Sequence, residues 1–171
     1  LINGSIENVL TSSDGQIGNH FGRSVAIYGD NIVVGANSDD DYGTNSGSAY
    51  VFSKQTDGSW AQVYKLTASD ASAEDQFGNS VDIYGDNIVV GAYGDDSGRG
   101  SAYVFSKQTD GSWAQVSKLM EAGPSPDDLL GYSVAIDGDN IVVGAHRDRY
   151  INYEAKTGSV YVFSKQPDGS W

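Results

Sequence analysis

The chain has 171 residues, with 10 Lys and Arg against 23 Asp and Glu, for a formal net charge of -13. That balance repels a phosphate backbone and excludes nucleic acid as the expected partner; no apolar run approaches the roughly 20 residues of a membrane span, and the lack of cysteine removes disulfides and thiolate chemistry. With 39% hydrophobic residues, 11% aromatics and 22 glycines but only 19% charged residues, it reads as a turn-rich all-β chain rather than a disordered acidic tail.

Internal repeats organise the chain. Glu7-Asn-Val-Leu10 followed by residues 11–21 aligns with Val63-Tyr-Lys-Leu66 followed by residues 67–77. Residues 1–10 are therefore expected to be the outer strand of a blade whose other strands lie elsewhere. Phe21-Gly-Arg-Ser-Val-Ala-Ile-Tyr-Gly-Asp-Asn-Ile-Val-Val-Gly-Ala36 recurs at Phe77–Ala92 and Leu130–Ala145. Within it, Ser24–Tyr28 reads as one strand, Gly29-Asp30-Asn31 as a tight turn, and Ile32–Ala36 as an unbroken apolar strand buried on both faces. Ser48-Ala-Tyr-Val-Phe-Ser-Lys-Gln-Thr-Asp-Gly-Ser-Trp60 recurs unchanged at Ser101–Trp113 and nearly so at Ser159–Trp171. It gives a third strand, an Asp-Gly hairpin and the start of a fourth strand, Trp60 to about Leu66, with a wetter outer edge at Gln62 and Lys65. No segment has helical periodicity, apart from a short turn expected at Asp127–Leu130. The copies lie roughly 53 to 58 residues apart, the size of a propeller blade rather than a helical solenoid unit.

The expected fold is all-β. It consists of β-propeller blades of four antiparallel strands, about three per chain, with one blade split between the N- and C-terminal ends. Residues 1–20 are an outer strand and linker, 21–66 and 77–119 are blades, and 130–171 is a blade lacking its outer strand. Leu1 reads as the start of a mature chain or fragment. Closed propellers usually need four to eight blades. Three blades are therefore expected to be a fragment of a longer propeller, to make six blades from two chains, or to join head to tail, with Leu1–Leu10 pairing with the strand around Tyr161–Ser164 in the same chain or the next.

Phe21-Gly22 … Gly35-Ala36, Phe77-Gly78 … Gly91-Ala92 and Leu130-Gly131 … Gly144-Ala145 resemble the FG-GAP repeat, the blade motif of integrin α-subunit propellers and many surface proteins. The resemblance covers nearly the whole chain and implies a propeller outside the cell or at its surface. Many members bind Ca2+ in an extended hairpin loop between the two halves of the motif. Here that place holds only Tyr28-Gly29-Asp30-Asn31 and its copies at Tyr84 and Asp137. Calcium takes six to eight oxygens, so the usual family site is expected to be missing. Asp30, Asp86 and Asp139 read as turn residues. No cofactor is assigned, and Ca2+ remains compatible with other acids of the chain.

Variation concentrates in loops 37–47, 93–100 and 146–158 and in the blade-to-blade linkers, which a propeller places on one face. Loops on a rigid scaffold are where recognition is usually built. Asp39, Asp41, Asp95 and Asp96 are the candidate metal ligands, with solvated turn acids as the alternative. His146, Arg147, Arg149, Tyr150 and Tyr153 form a basic, aromatic loop on an acidic chain and are the candidate partner-binding residues. Asn3-Gly4-Ser5 matches the glycosylation acceptor pattern. Asp82, where other copies have Ala26 and Ala135, is expected to line a central channel and to need water, a partner or a cation. The recurring Tyr50, Tyr103, Tyr161, Phe52, Phe105 and Phe163 read as core. His20 and His146 lie in unrelated loops and no phosphate-cradling glycine loop is present, so no catalysis is expected. Two function classes remain. One is a structural or adhesion module that self-associates or joins other blades; the other is a recognition propeller for an extracellular protein or glycan.

Overall fold

The computed structural model describes residues 8–123, 125–148 and 157–171. The first sheet comprises β1 (Ser24–Tyr28), β2 (Asn31–Ala36), β3 (Ser48–Lys54) and β4 (Trp60–Leu66), antiparallel and in chain order. The second repeats it with β5 (Ser80–Tyr84), β6 (Asn87–Ala92), β7 (Ser101–Lys107) and β8 (Trp113–Leu119). The third holds β9 (Leu130–Asp137), β10 (Asn140–Ala145) and β11 (Ser159–Ser164), three strands in all. These are the propeller blades that the repeats predict.

Helix is confined, among the described residues, to one turn at Asp95–Gly98, where Asp96 and Ser97 are left-handed. The sequence pattern did not foresee this turn. The short turn expected at Asp127–Leu130 is instead a left-handed corner at Asp127 and Leu129, and Leu130 already belongs to β9. Both places are corners that Asp tolerates because its side chain can bond nearby backbone. Asn3 and residues 1–7 lie outside the described residues. Residues 8–10 are not in a strand, and Leu10 packs on Val34, Ala36, Tyr50 and Phe52 of the first blade.

The turns repeat with the strands. In the β1–β2 hairpin and its copies, the carbonyls of Asp30, Asp86 and Asp139 accept the amides of Lys54, Lys107 and Lys165 at 2.9, 2.9 and 2.8 Å. The Asn31 side-chain oxygen accepts the Ser53 hydroxyl at 2.7 Å. Both oxygens pin the hairpin to the third strand.

One joint connects successive blades. Linker residues run beside the β2–β3 loop of the preceding blade, with Glu74 N–H donating to Thr44 O (2.8 Å), Gln76 to Asn45 (2.9 Å) and Phe77 to Ser46 (3.0 Å). The Ser24 hydroxyl donates to Gly78 O at 2.9 Å. Gly78, at φ +86°, sits so close that a Cβ would overlap the Ser48 carbonyl, and one on Gly35 would overlap the Gly78 carbonyl. The second joint repeats this with Leu130 and Gly131 in place of Phe77 and Gly78: Leu130 N–H donates to Arg99 O at 3.1 Å and the Ser80 hydroxyl to Gly131 O at 2.9 Å. Asp82 adds a clasp here. Its carboxylate accepts the Ile136 amide of the next inner strand at 2.8 Å, so the partner that its position demanded is backbone.

Behind each joint lies an apolar interface. Val33 and Val51 of the first blade pack with Val81 and Ile83 of the second, and Val89 and Val104 of the second pack with Val134 and Ile136 of the third. Phe77 meets Tyr103 and Phe105 edge-on at 5.5 and 5.9 Å, as Phe21 meets Tyr50 and Phe52 at 5.5 and 6.0 Å.

Gly78→Ala and Gly22→Ala separate steric closeness from backbone strain. Gly22 has nearly the same φ, +92°, but nothing within 4 Å of its would-be Cβ. Gly22→Ala should cost the left-handed penalty alone, roughly 1–2 kcal/mol. Gly78→Ala should cost roughly 3 kcal/mol or more, because a joint must open. Denaturant unfolding of the two variants tests this, and equal losses would contradict the role of the joint.

Candidate functional site

The third residue after each Gly-Ala pair is aspartate: Asp39, Asp95 and Asp148. All three are buried, at 1%, 6% and 2% exposure. Each closes its own β2–β3-type loop, its carbonyl accepting the amide of Gly47 (2.8 Å), Gly100 (2.9 Å) or Gly158 (3.0 Å). The carboxylates then form the centre of a site that recurs in every blade.

In the first blade Asp39 Oδ2 accepts the Tyr50 hydroxyl at 2.8 Å, the Asn19 amide at 3.1 Å and Lys65 Nζ at 3.2 Å, while Oδ1 accepts the Asp41 amide at 3.1 Å. Lys65 Nζ also meets Asp14 and Asp41, each at 2.6 Å. Burial pulls the lysine down, but its bonds to Asp14 and Asp41 outweigh this and hold it above its ordinary value. Burial, then the bond to Asp39, pushes the Tyr50 hydroxyl up, so it stays a neutral donor. Asp14 is held low by Lys65 and Tyr50 against the opposing effect of burial.

The second blade repeats the arrangement. Lys118 Nζ lies 2.6 Å from both Asp70 and Asp95, and Tyr103 donates to Asp70 at 2.9 Å. Asp70 is held low by Lys118 and Tyr103, again against burial. Asp75 takes the place of Asn19 in the repeat. Burial and the nearby Asp95 charge push it up to about 6, against the Ser72 amide that it accepts.

In the third blade Glu121, Asp128 and Asp148 each bring a carboxylate oxygen within 4.8 Å of the others, and the Tyr161 hydroxyl donates to Asp148 at 2.6 Å. Burial and the charges of Asp148 and Asp128 raise Glu121, although its bond from Tyr161 lowers it.

The structure thus gathers Asp39 and Asp41 with Asp14, with the Lys65 ammonium in the middle of the group. Asp95 joins Lys118, while Asp96 turns away to pair with Arg99 at 2.8 Å. His146 and Arg147 are exposed; the His146 ring meets Tyr132 in a tilted contact at 4.1 Å, and Tyr132 meets Tyr93 at 5.4 Å. Arg149, Tyr150 and Tyr153 lie outside the described residues. Sequence reasoning missed Lys118, read Lys65 only as outer-edge polarity, and missed the tyrosine hydroxyls, whose rings are core. In-register recurrence of Asp39, Asp95 and Asp148 was the signal that could have found the site. No described helix is long and apolar enough to cross a membrane.

Two outcomes follow. Lys65→Met leaves the Asp39 carboxylate buried without its cation and should cost roughly 2–4 kcal/mol, with partial exposure of Lys65 tempering the full buried-pair penalty; a loss below about 0.5 kcal/mol would contradict this. The pH profile should be bell-shaped. Raised carboxyls favour the fold when protonated, so Asp75 and Glu121 contribute fully below their unfolded values, and the Asp75 contribution is lost as pH rises through about 6. Lowered carboxyls act oppositely, so the contribution of Asp14 and Asp70 is present above 3.8 and lost as pH falls below it. The melting temperature should rise between about pH 7.5 and 5 and fall again in stronger acid, with a smaller rise for Asp75→Asn. A flat profile in both proteins would contradict the assignment.

Comparison with protein families matches the FG-GAP repeat over residues 5–52, 60–105 and 113–163. Comparison with curated proteins gives no match.

Proposed function

The chain belongs to the FG-GAP repeat family, and we propose that it is a non-catalytic, extracellular structural or adhesion module that assembles with further blades through its open ends. One observation carries this reading. Val51, Val104 and Val162 occupy the same place in strands that differ only in Val160 for Ala49 and Ala102, yet the first two are fully buried and Val162 is 65% exposed. What covers the first two is the outer strand of their own blade and the leading face of the next.

The opposite end shows the complementary half. Val25 and Ile27 on β1 are exposed at 67% and 65%, whereas their equivalents Val81 and Ile83 are buried against the preceding blade. Gly22 lacks the neighbour that crowds Gly78, and the Gly144 and Gly158 surface with Ser133 and Ser159 forms a groove with no Phe-Gly segment in it. The leading face of one copy therefore matches the trailing face of another. Two copies joined head to tail twice would give six blades, within the range of closed propellers. Exposed apolar faces of this kind mark association surfaces.

Light scattering after size exclusion tests the reading. Self-association should appear as a dimer near twice 18.1 kDa or as a ladder of larger species. Val162→Lys should abolish it while leaving the stability of the dilute chain within about 0.5 kcal/mol, because that side chain is already in water. A monomer at every concentration, unchanged by Val162→Lys, would overturn self-assembly.

The row Tyr93, Tyr132 and His146 supports a second reading, recognition of a glycan or protein by the variable face with loops 37–47, 93–100 and 146–158. A row of partly exposed rings suits a sugar face or an apolar side chain. In that case Tyr132→Ala should weaken binding to an immobilised glycan or matrix protein without changing the solution mass.

A further inference from the structure

The two complete blades each close their carboxylate site with one ammonium carried by the outer strand. Lys65 stands opposite Tyr50 in the β3–β4 ladder and Lys118 opposite Tyr103 in the β7–β8 ladder; in each case the following leucine, Leu66 or Leu119, stands opposite Ala49 or Ala102. Among the described residues the third blade has the acids without that strand. Asp128 and Asp148 are 1% and 2% exposed. Asp128 Oδ1 and Glu121 Oε2 have no hydrogen-bond partner. Among the described residues, no ammonium or guanidinium is ion-paired with Glu121, Asp128 or Asp148.

The position of an outer strand on this blade is marked. Trp60 and Trp113 begin the outer strands opposite Lys54 and Lys107. Trp171 holds the same place beside Lys165, whose Nζ lies 5.5 Å from the indole centroid, and it packs on the core cluster shared with Tyr161 and Phe163.

We propose that the free edge of β11 is a receptor for an outer strand carrying lysine opposite Tyr161 and leucine opposite Val160, with the lysine ammonium held among Asp148, Glu121 and Asp128. This rests on the reading of the third blade as an assembly surface and names what the incoming strand must contain. A β-edge accepts the backbone of almost any strand, and pockets for particular side chains supply the selection. Here the pocket is anionic and largely buried. A neutral side chain at that register would leave the carboxylates dehydrated without a counter-charge, which disfavours every strand that lacks the lysine. Aligning Leu10 with Leu66 puts Val9 at the lysine position. The first segment of this chain therefore lacks the required cation, and a strand with the pattern of residues 60–66 or 113–119 satisfies the site.

The test extends Trp171 by Ala-Gln-Val-Ser-Lys-Leu, the sequence of residues 114–119, and by the same peptide with methionine in place of lysine. Thermal unfolding is followed in dilute solution, with and without millimolar Ca2+. The lysine extension should raise the melting temperature at least about 3 °C further than the methionine extension. That difference should vanish in Asp148→Asn, or in the more exposed Glu121→Gln if Asp148→Asn does not fold. Calcium should not replace the lysine. Equal stabilisation by both extensions, or none by either, would overturn the proposal. So would a calcium-induced rise in the unextended chain as large as that from the lysine extension, which would assign the cluster to a metal ion. The measurement is made on single chains, so failure of self-association in light scattering leaves its outcome unaffected.

Discussion

The fold depends on how closely two backbones can approach where one blade meets the next. The Phe77-Gly78 peptide lies against Gly35-Ala36 and the Ser46–Ser48 segment of the preceding blade, with carbonyls in the space a Cβ would need on either side. Glycine meets two demands there at once, the left-handed backbone at Gly78 and the steric gap at Gly35. The closeness allows linker amides to pair with the neighbouring loop and brings valine faces into contact behind them. The glycines of the repeat are thus the joint itself, and the aromatic or leucine before the second glycine is the plug that fills the core beside it.

Electrostatics sits on top of that geometry. A buried aspartate closes each loop on the variable face, and burial obliges it to find donors. Lysines from the fourth strand supply them in the first two blades, joined by the Tyr50 hydroxyl at Asp39 and the Ser101 hydroxyl at Asp95. The arrangement ties the outermost strand to the loop face, so losing that strand removes backbone pairing and the balancing cation together. Much of the net acidity of the chain faces solvent, but these carboxylates form fixed structural sites.

In the first two blades strand boundaries were legible almost to the residue, because copies of one pattern report the same answer and the Ile-Val-Val-Gly-Ala run has no other sensible burial; residues 8–10 are not in the expected strand, and β9 begins already at Leu130. The joint was legible only as a motif: nothing in Phe-Gly or Gly-Ala alone says which carbonyl each glycine must pass. Asp39 and Asp95 were visible as acids, but as loop acids, since the lysines that hold them lie some 25 residues away across a strand register. The helical turn at Asp95–Gly98 could not be read, because two of its residues are left-handed and no periodicity precedes it. Asp82 was correctly picked out as needing a partner; which backbone amide answers it depended on the packing of two inner strands.

Amide hydrogen exchange at Phe21, Phe77 and Leu130, followed over a range of protein concentrations, tests the central claim most directly. Phe77 and Leu130 donate across filled joints, whereas Phe21 has no backbone acceptor among the described residues. The account predicts slow exchange at Phe77 and Leu130 throughout, and exchange at Phe21 that is fast in dilute solution and slows as copies associate. Fast exchange at Phe77 and Leu130 under native conditions, or at Phe21 in fully associated protein, would contradict it.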